Sequence, residues 1–71
     1  MELSARNKLA GKVKEVKVGQ IMAEVTLQIG ENEITALVSR ASAERLGLKV
    51  GDDAFALIKA TEVMVGKEST K

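Results

Sequence analysis

Three short stretches of the chain set small hydroxyls beside positive charge: Ser4-Ala5-Arg6-Asn7, Ser39-Arg40-Ala41-Ser42 and Lys59-Ala60-Thr61. Each has an ordinary reading alone. The first is a polar arm near the N-terminus. Ser39 caps a helix, because a serine oxygen at that position accepts from a backbone N–H two or three residues on. Lys59 is a solvated charge at a strand end, with Thr61 a turn hydroxyl. Together they make a donor-only environment for an anion, built of Arg, Lys, serine hydroxyls and free backbone N–H groups. None of the three contains Asp or Glu, and the first acid after them is Glu62. A protonated oxyanion such as hydrogen phosphate needs an acceptor for its proton, whereas a fully ionised tetrahedral dianion is satisfied by donors alone. The chemistry implied is capture of a small, fully deprotonated oxyanion.

Other chemistries are removed by composition. The chain has no histidine and no cysteine, so it holds no Ser–His or Cys–His pair, no imidazole base and no thiolate or imidazole metal site. Nothing beside Lys59 in the sequence activates it as a nucleophile, and no catalysis, cofactor or direct cation ligand is expected. The 11 Lys and Arg against 10 Asp and Glu leave a net charge of +1, which creates no general field to attract a polyanion. No apolar run approaches the ~18 residues of a membrane span, and Met1-Glu2-Leu3-Ser4 lacks the basic-then-apolar layout of a signal peptide. A cytoplasmic location without membrane association is therefore expected.

The elements that must position these donors follow from periodicity. Residues 12–18, rich in valine and ending at Gly19, read as a strand. From Gln20 to Ile29 the alternation is clearest, with Ile21, Ala23, Val25, Leu27 and Ile29 on one face, and only Met22 breaks it. Gly30-Glu31-Asn32 supplies a turn, and residues 33–38 resume a strand, giving a hairpin. Residues 40–46 are good helix formers without β-branching, and Gly47 stands as the C-terminal cap. Leu48 to Asp53 reads as the turn into a strand over 54–59 that is apolar on both faces, as suits a barrel interior or an interface. Glu62–Val65 reads as a last short strand, and the polar tail 66–71 is expected to fray.

The 71 residues make one domain, 1–71. The order of three strands, a short helix and two strands is that of an all-β, OB-type five-stranded small barrel. The chain contains a single aromatic, Phe55, and a core of this size rarely supplies more than about 3–5 kcal/mol. With disulfides and zinc excluded, association is the remaining way to stabilise it, so a homo-oligomer is expected.

The residues also resemble a family. Ser4-Ala5-Arg6-Asn7-Lys8-Leu9-Ala10-Gly11 is similar to the Ser-Ala-Arg-Asn-x-Leu-x-Gly opening of the molbindins, small cytoplasmic proteins that bind molybdate and tungstate. Ser39-Arg40-Ala41-Ser42 with Leu46-Gly47-Leu48 resembles their helix entry and exit, and Lys59-Ala60-Thr61-Glu62-Val63-Met64-Val65 resembles their closing segment. The resemblance spans residues 2–65. It implies that Ser4 and Arg6, with backbone N–H groups around Ala5 and Arg6, bind the oxyanion together with Lys59 and the N–H of Ala60. It implies that Ser39 and Ser42 reach the site from a neighbouring subunit. It further implies a hexamer built as a trimer of dimers, with molybdate or tungstate as the ligand and intracellular molybdenum storage or homeostasis as the role. No helix-turn-helix or Walker sequence is present, so the chain resembles the free-standing binding protein rather than the related regulators and transporters.

Two nucleic-acid readings compete. Residues 44–52 resemble part of the swapped-hairpin DNA-binding dimers, but such a dimer needs a basic face. An OB-fold that binds single strands stacks bases on aromatic side chains, and Phe55 is the only one. Both rank below oxyanion binding, and no nucleic-acid partner is expected.

Overall fold

The computed structural model describes residues 7–68. Four strands, β1 (Asn7–Val18), β2 (Met22–Ile29), β3 (Asn32–Ser39) and β4 (Asp53–Ile58), form one antiparallel sheet in the order β3-β2-β1-β4, with a single helix α1 (Arg40–Leu46) between β3 and β4. This is an OB-type, mostly β arrangement with one short helix, and its organising element is β1. The first half of that strand pairs with β4, from Asn7 opposite Ile58 to Lys12 opposite Asp53. Its second half pairs with β2, from Lys12 opposite Gln28 to Val18 opposite Ala23. One strand thus changes partners at its middle.

Two local features allow the change. At Gly11 an added Cβ would lie 2.2 Å from the Gln28 carbonyl oxygen, so only a residue without a side chain lets β1 run this close to β2 as it turns towards β4. The register then slips between Val13 and Glu15. Val13 and Val16 would face opposite sides of a regular strand. With Lys14 as the extra residue of the bulge, Val13 sits opposite Leu27 and Val16 opposite Val25, all facing the core. The loop before β4 is tied to the same point, since Val13 N–H donates to the Asp52 carbonyl at 2.9 Å and Gly51 N–H donates to the Val13 carbonyl at 2.8 Å.

Val13, Ala23, Val25, Leu27 and Ala43 are buried. The helix is closed at both ends by its own sequence. Ser39 caps it at the start. At the other end Gly47 adopts φ 63°, its N–H donates to the Glu44 carbonyl at 3.1 Å, and Leu48 N–H donates to the Ala43 carbonyl at 3.3 Å. This is the Schellman arrangement, and it folds Leu48 back against the core.

Most element boundaries agree with the sequence reading. Strand β1 begins at Asn7 rather than residue 12, because the ladder to β4 recruits residues 7–11, which show no strand-like alternation of their own. One element differs in kind. Glu62–Val65 forms no strand among the described residues: Glu62 N–H donates to the Lys59 carbonyl at 2.9 Å, a single 3-10 turn covers Ala60–Glu62, and residues 63–68 make no ladder. Val63, Met64 and Val65 are 50%, 92% and 94% exposed. Strand propensity alone makes no strand without a ladder to join, and within the described chain this segment pairs with none.

The rung that ends the β1–β4 ladder bears an ion pair, with Lys12 Nζ donating to Asp53 Oδ1 at 2.5 Å. The hydrogen bond and the positive charge of Lys12 hold the Asp53 carboxyl below the ordinary aspartate range. Because the folded value is depressed, the pair contributes stability above the unfolded-state pKa of about 3.9, and that contribution is lost as pH falls through the lower folded value. An NMR carboxyl titration should place Asp53 below that value and return it to the ordinary range in Lys12→Ala. An unshifted Asp53 in the parent would contradict the pairing.

Candidate functional site

The hydroxyl pair is positioned by the end of β3. Ser39 lies opposite Met22 on the last rung of the β2–β3 ladder, and the next residue is anchored by Arg40 N–H donating to the Ile21 carbonyl at 2.7 Å. Ser39 is extended, φ −69° and ψ 149°, as an N-cap requires. Its Oγ accepts from Ser42 N–H at 3.0 Å and donates to Ser42 Oγ at 2.9 Å. The capping reading of Ser39 is therefore correct, and the same geometry holds the two hydroxyls side by side. Arg40, inside the motif, turns away and donates from Nε to Glu44 at 2.9 Å across one helical turn. The cation that does reach the pair is Arg45, whose Nη2 lies 3.3 Å from Ser42 Oγ. The sequence reading passed over Arg45, although its spacing of three from Ser42 on a helix was a usable signal.

The other cluster is positioned by the end of β4. Ile58 pairs with Asn7, and Asn7 Nδ2 donates to the Ile58 carbonyl at 3.2 Å, clamping the peptide just before Lys59. Lys59 is extended and exposed, and it precedes the 3-10 turn that Ala60 begins. Among the described residues it has no ion-pair partner. Ser4, Ala5 and Arg6 lie outside the described residues. The ladder sets Lys59 next to the Asn7–Ile58 rung, where β1 begins.

Strand pairing sets Lys59 and the hydroxyl pair at opposite ends of β1. Lys59 stands at the Asn7 end of β1, whereas Ser39 stands beside Met22, next to the Val18–Ala23 rung at the other end. At about 3.3 Å per residue, roughly 35 Å of strand path separates those ends, and donors to one small ion must lie within about 3 Å of its oxygens.

Comparison with known proteins agrees with this architecture. Residues 3–65 match the TOBE domain. The chain is 52% identical over 66 residues to molybdenum-pterin-binding protein 1 of Clostridium pasteurianum, covering 92% of this chain and 97% of that protein. Among solved structures, a molybdate-binding protein from Sporomusa ovata superposes with a TM-score of 0.89 at 40% identity, over 94% of this chain and all, 100%, of that one. The molybdate-bound form of the cytoplasmic molybdate-binding protein ModG superposes with a TM-score of 0.79 at 48% identity, over 84% of this chain and 43% of that longer one. On the strength of a match that runs through every element from before β1 to beyond the 3-10 turn, the chain belongs to the TOBE-domain family.

Proposed function

We propose that this protein is a non-enzymatic molybdate-binding protein that captures the free dianion, without metal or cofactor, at sites shared between subunits of a homo-oligomer. Ser4, Arg6 and Lys59, with the N–H groups around Ala5 and of Ala60, contribute from one subunit, and Ser39 and Ser42 from another. Tungstate, of nearly the same size and charge, is accepted by the same donors. The assembly is a hexamer, a trimer of dimers, that serves molybdenum storage or homeostasis in the cytoplasm.

The observation that carries this reading is the likeness, over 92% and 94% of the chain, to proteins named for binding molybdenum-pterin and molybdate. The separation of the hydroxyl pair from Lys59 along β1 supports a site completed by a second copy. Association is supported by apolar surface left uncovered on the described chain, where Ile21, Leu37, Leu46 and Val50 are all more than two-thirds exposed. Phe55 and Leu57, on the outer face of β4, are 49% and 42% exposed. Nucleic acid is disfavoured because the net charge is only +1 and several of the cations are already paired: Lys12 with Asp53, Lys14 with Glu33, Lys17 with Glu15, and Arg40 with Glu44.

Calorimetric titration of one sample with molybdate, tungstate, sulfate and phosphate, with its mass set by analytical ultracentrifugation, tests the reading. Molybdate and tungstate should bind tightly to a hexamer without proton uptake, and phosphate weakly. A folded monomer at micromolar concentration, or tight binding of phosphate but not molybdate, would overturn it.

A further inference from the structure

We propose that Arg45 is a positioning residue of this site: by donating to Ser42 Oγ it commits that hydroxyl to donate to the oxyanion and sharpens the preference for a fully deprotonated ligand. The inference rests on the reading of the site given above. A serine hydroxyl has one proton and two acceptor lone pairs. Ser39 Oγ spends its proton on Ser42 Oγ at 2.9 Å, while accepting from Ser42 N–H at 3.0 Å. Arg45 Nη2 donates to the same Ser42 Oγ at 3.3 Å. Both lone pairs of Ser42 are then occupied, and its O–H is the proton the pair offers the oxyanion, while Ser39 contributes to the site by holding Ser42 in place.

The identity of the third partner matters. A guanidinium has no acceptor and stays charged, so it cannot reverse the bond and take the Ser42 proton, as a glutamine or a carboxylate would. The adjacent charge also polarises the O–H and strengthens it as a donor. A ligand with a proton to give, such as a protonated phosphate, finds no free lone pair on Ser42, whereas a full dianion finds a prepared donor. Arg40 cannot serve in this way, since its Nε is held by Glu44.

A double-mutant cycle separates this role from simple charge. Molybdate and inorganic phosphate would be titrated calorimetrically into the assembled parent, Arg45→Leu, Arg45→Lys, Ser42→Ala and the Ser42→Ala/Arg45→Leu pair. Arg45→Leu is expected to weaken molybdate binding about tenfold, the scale of one charge-assisted hydrogen bond, and phosphate binding by less, so the selectivity ratio narrows. Arg45→Lys, which restores a charged donor, should recover most of that ratio. In the Ser42→Ala background, Arg45→Leu should change molybdate affinity by less than about twofold, because its target is gone. An equal loss in both backgrounds, or unchanged binding by Arg45→Leu, overturns the role while leaving the site reading intact. A parent oligomer that binds no molybdate overturns the site reading and this inference with it.

Discussion

Replacing Lys59 by alanine is expected to weaken molybdate binding roughly thirtyfold or more while leaving the oligomer assembled, with Arg6→Ala having an effect of the same size. If the two cations converge on one dianion, removing either leaves a desolvated charge less well compensated, and truncating a group at such a pair costs about 2–5 kcal/mol. Ser42→Ala removes one neutral donor to a charged acceptor, a smaller loss of about 1.5–3 kcal/mol. Arg40→Ala and Lys67→Ala are the charge controls and should stay within a few-fold of the parent, since Arg40 is held by Glu44 and Lys67 lies outside the proposed donors. The same variants test the origin of the site. Because Lys59 and Ser42 of one binding site should come from different chains, oligomers mixed from Lys59→Ala and Ser42→Ala subunits should regain some intact sites. Calorimetry of the mixed, still-assembled oligomer decides the matter, and binding no better than either parent variant would rule out a shared site.

Gly11→Ala should be the most destabilising single-methyl change in the chain. The added carbon would stand 2.2 Å from the Gln28 carbonyl oxygen and 3.0 Å from Ile29 Cγ1, and the nearer contact is backbone, which cannot rotate aside. Overpacking typically costs about 1–3 kcal/mol, and with a backbone atom as the obstacle the upper end is expected. A core of this size supplies only about 3–5 kcal/mol, so much of the stability would be lost. At about 4–8 °C per kcal/mol for a domain of this length, the melting temperature should fall by at least about 10 °C. Gly66→Ala, which meets nothing within 4 Å, is the control. Melting should be followed at several protein concentrations, since association raises apparent stability by mass action. A Gly11→Ala protein melting within about 2 °C of the parent would show that β1 does not pass β2 as closely as described.

Much of this molecule was legible in its residues, and the legible parts share a cause. The helix over 40–46, the Ser39 cap and the Gly47 stop are decided by groups within a few positions of one another: Ser39 Oγ with Ser42 N–H, Gly47 and Leu48 N–H with carbonyls of the last turn. The β2–β3 hairpin is likewise local, since a two-residue loop with Gly30 at φ 60° joins strands whose alternation names the buried face. The absence of carboxylates from the three motifs is a matter of residue type alone.

What the tertiary structure decided concerns partners distant in sequence. The spacing of Val13 and Val16 looks irregular until Leu27 and Val25 lie opposite them and the bulge absorbs Lys14. Gly11 reads as an ordinary strand glycine until Gln28 passes beside it. Glu62–Val65 has strand propensity, yet propensity makes no strand without a partner, and within the described chain the segment joins no ladder. The two donor clusters look like one site when written on a line. Only the register of β1, which pairs its start with β4 and its end with β2, sets Lys59 and Ser39 at opposite ends of one strand. Strand pairing is a long-range choice settled by the whole sheet, and side-chain pattern reports which face is buried but not which strand will cover it.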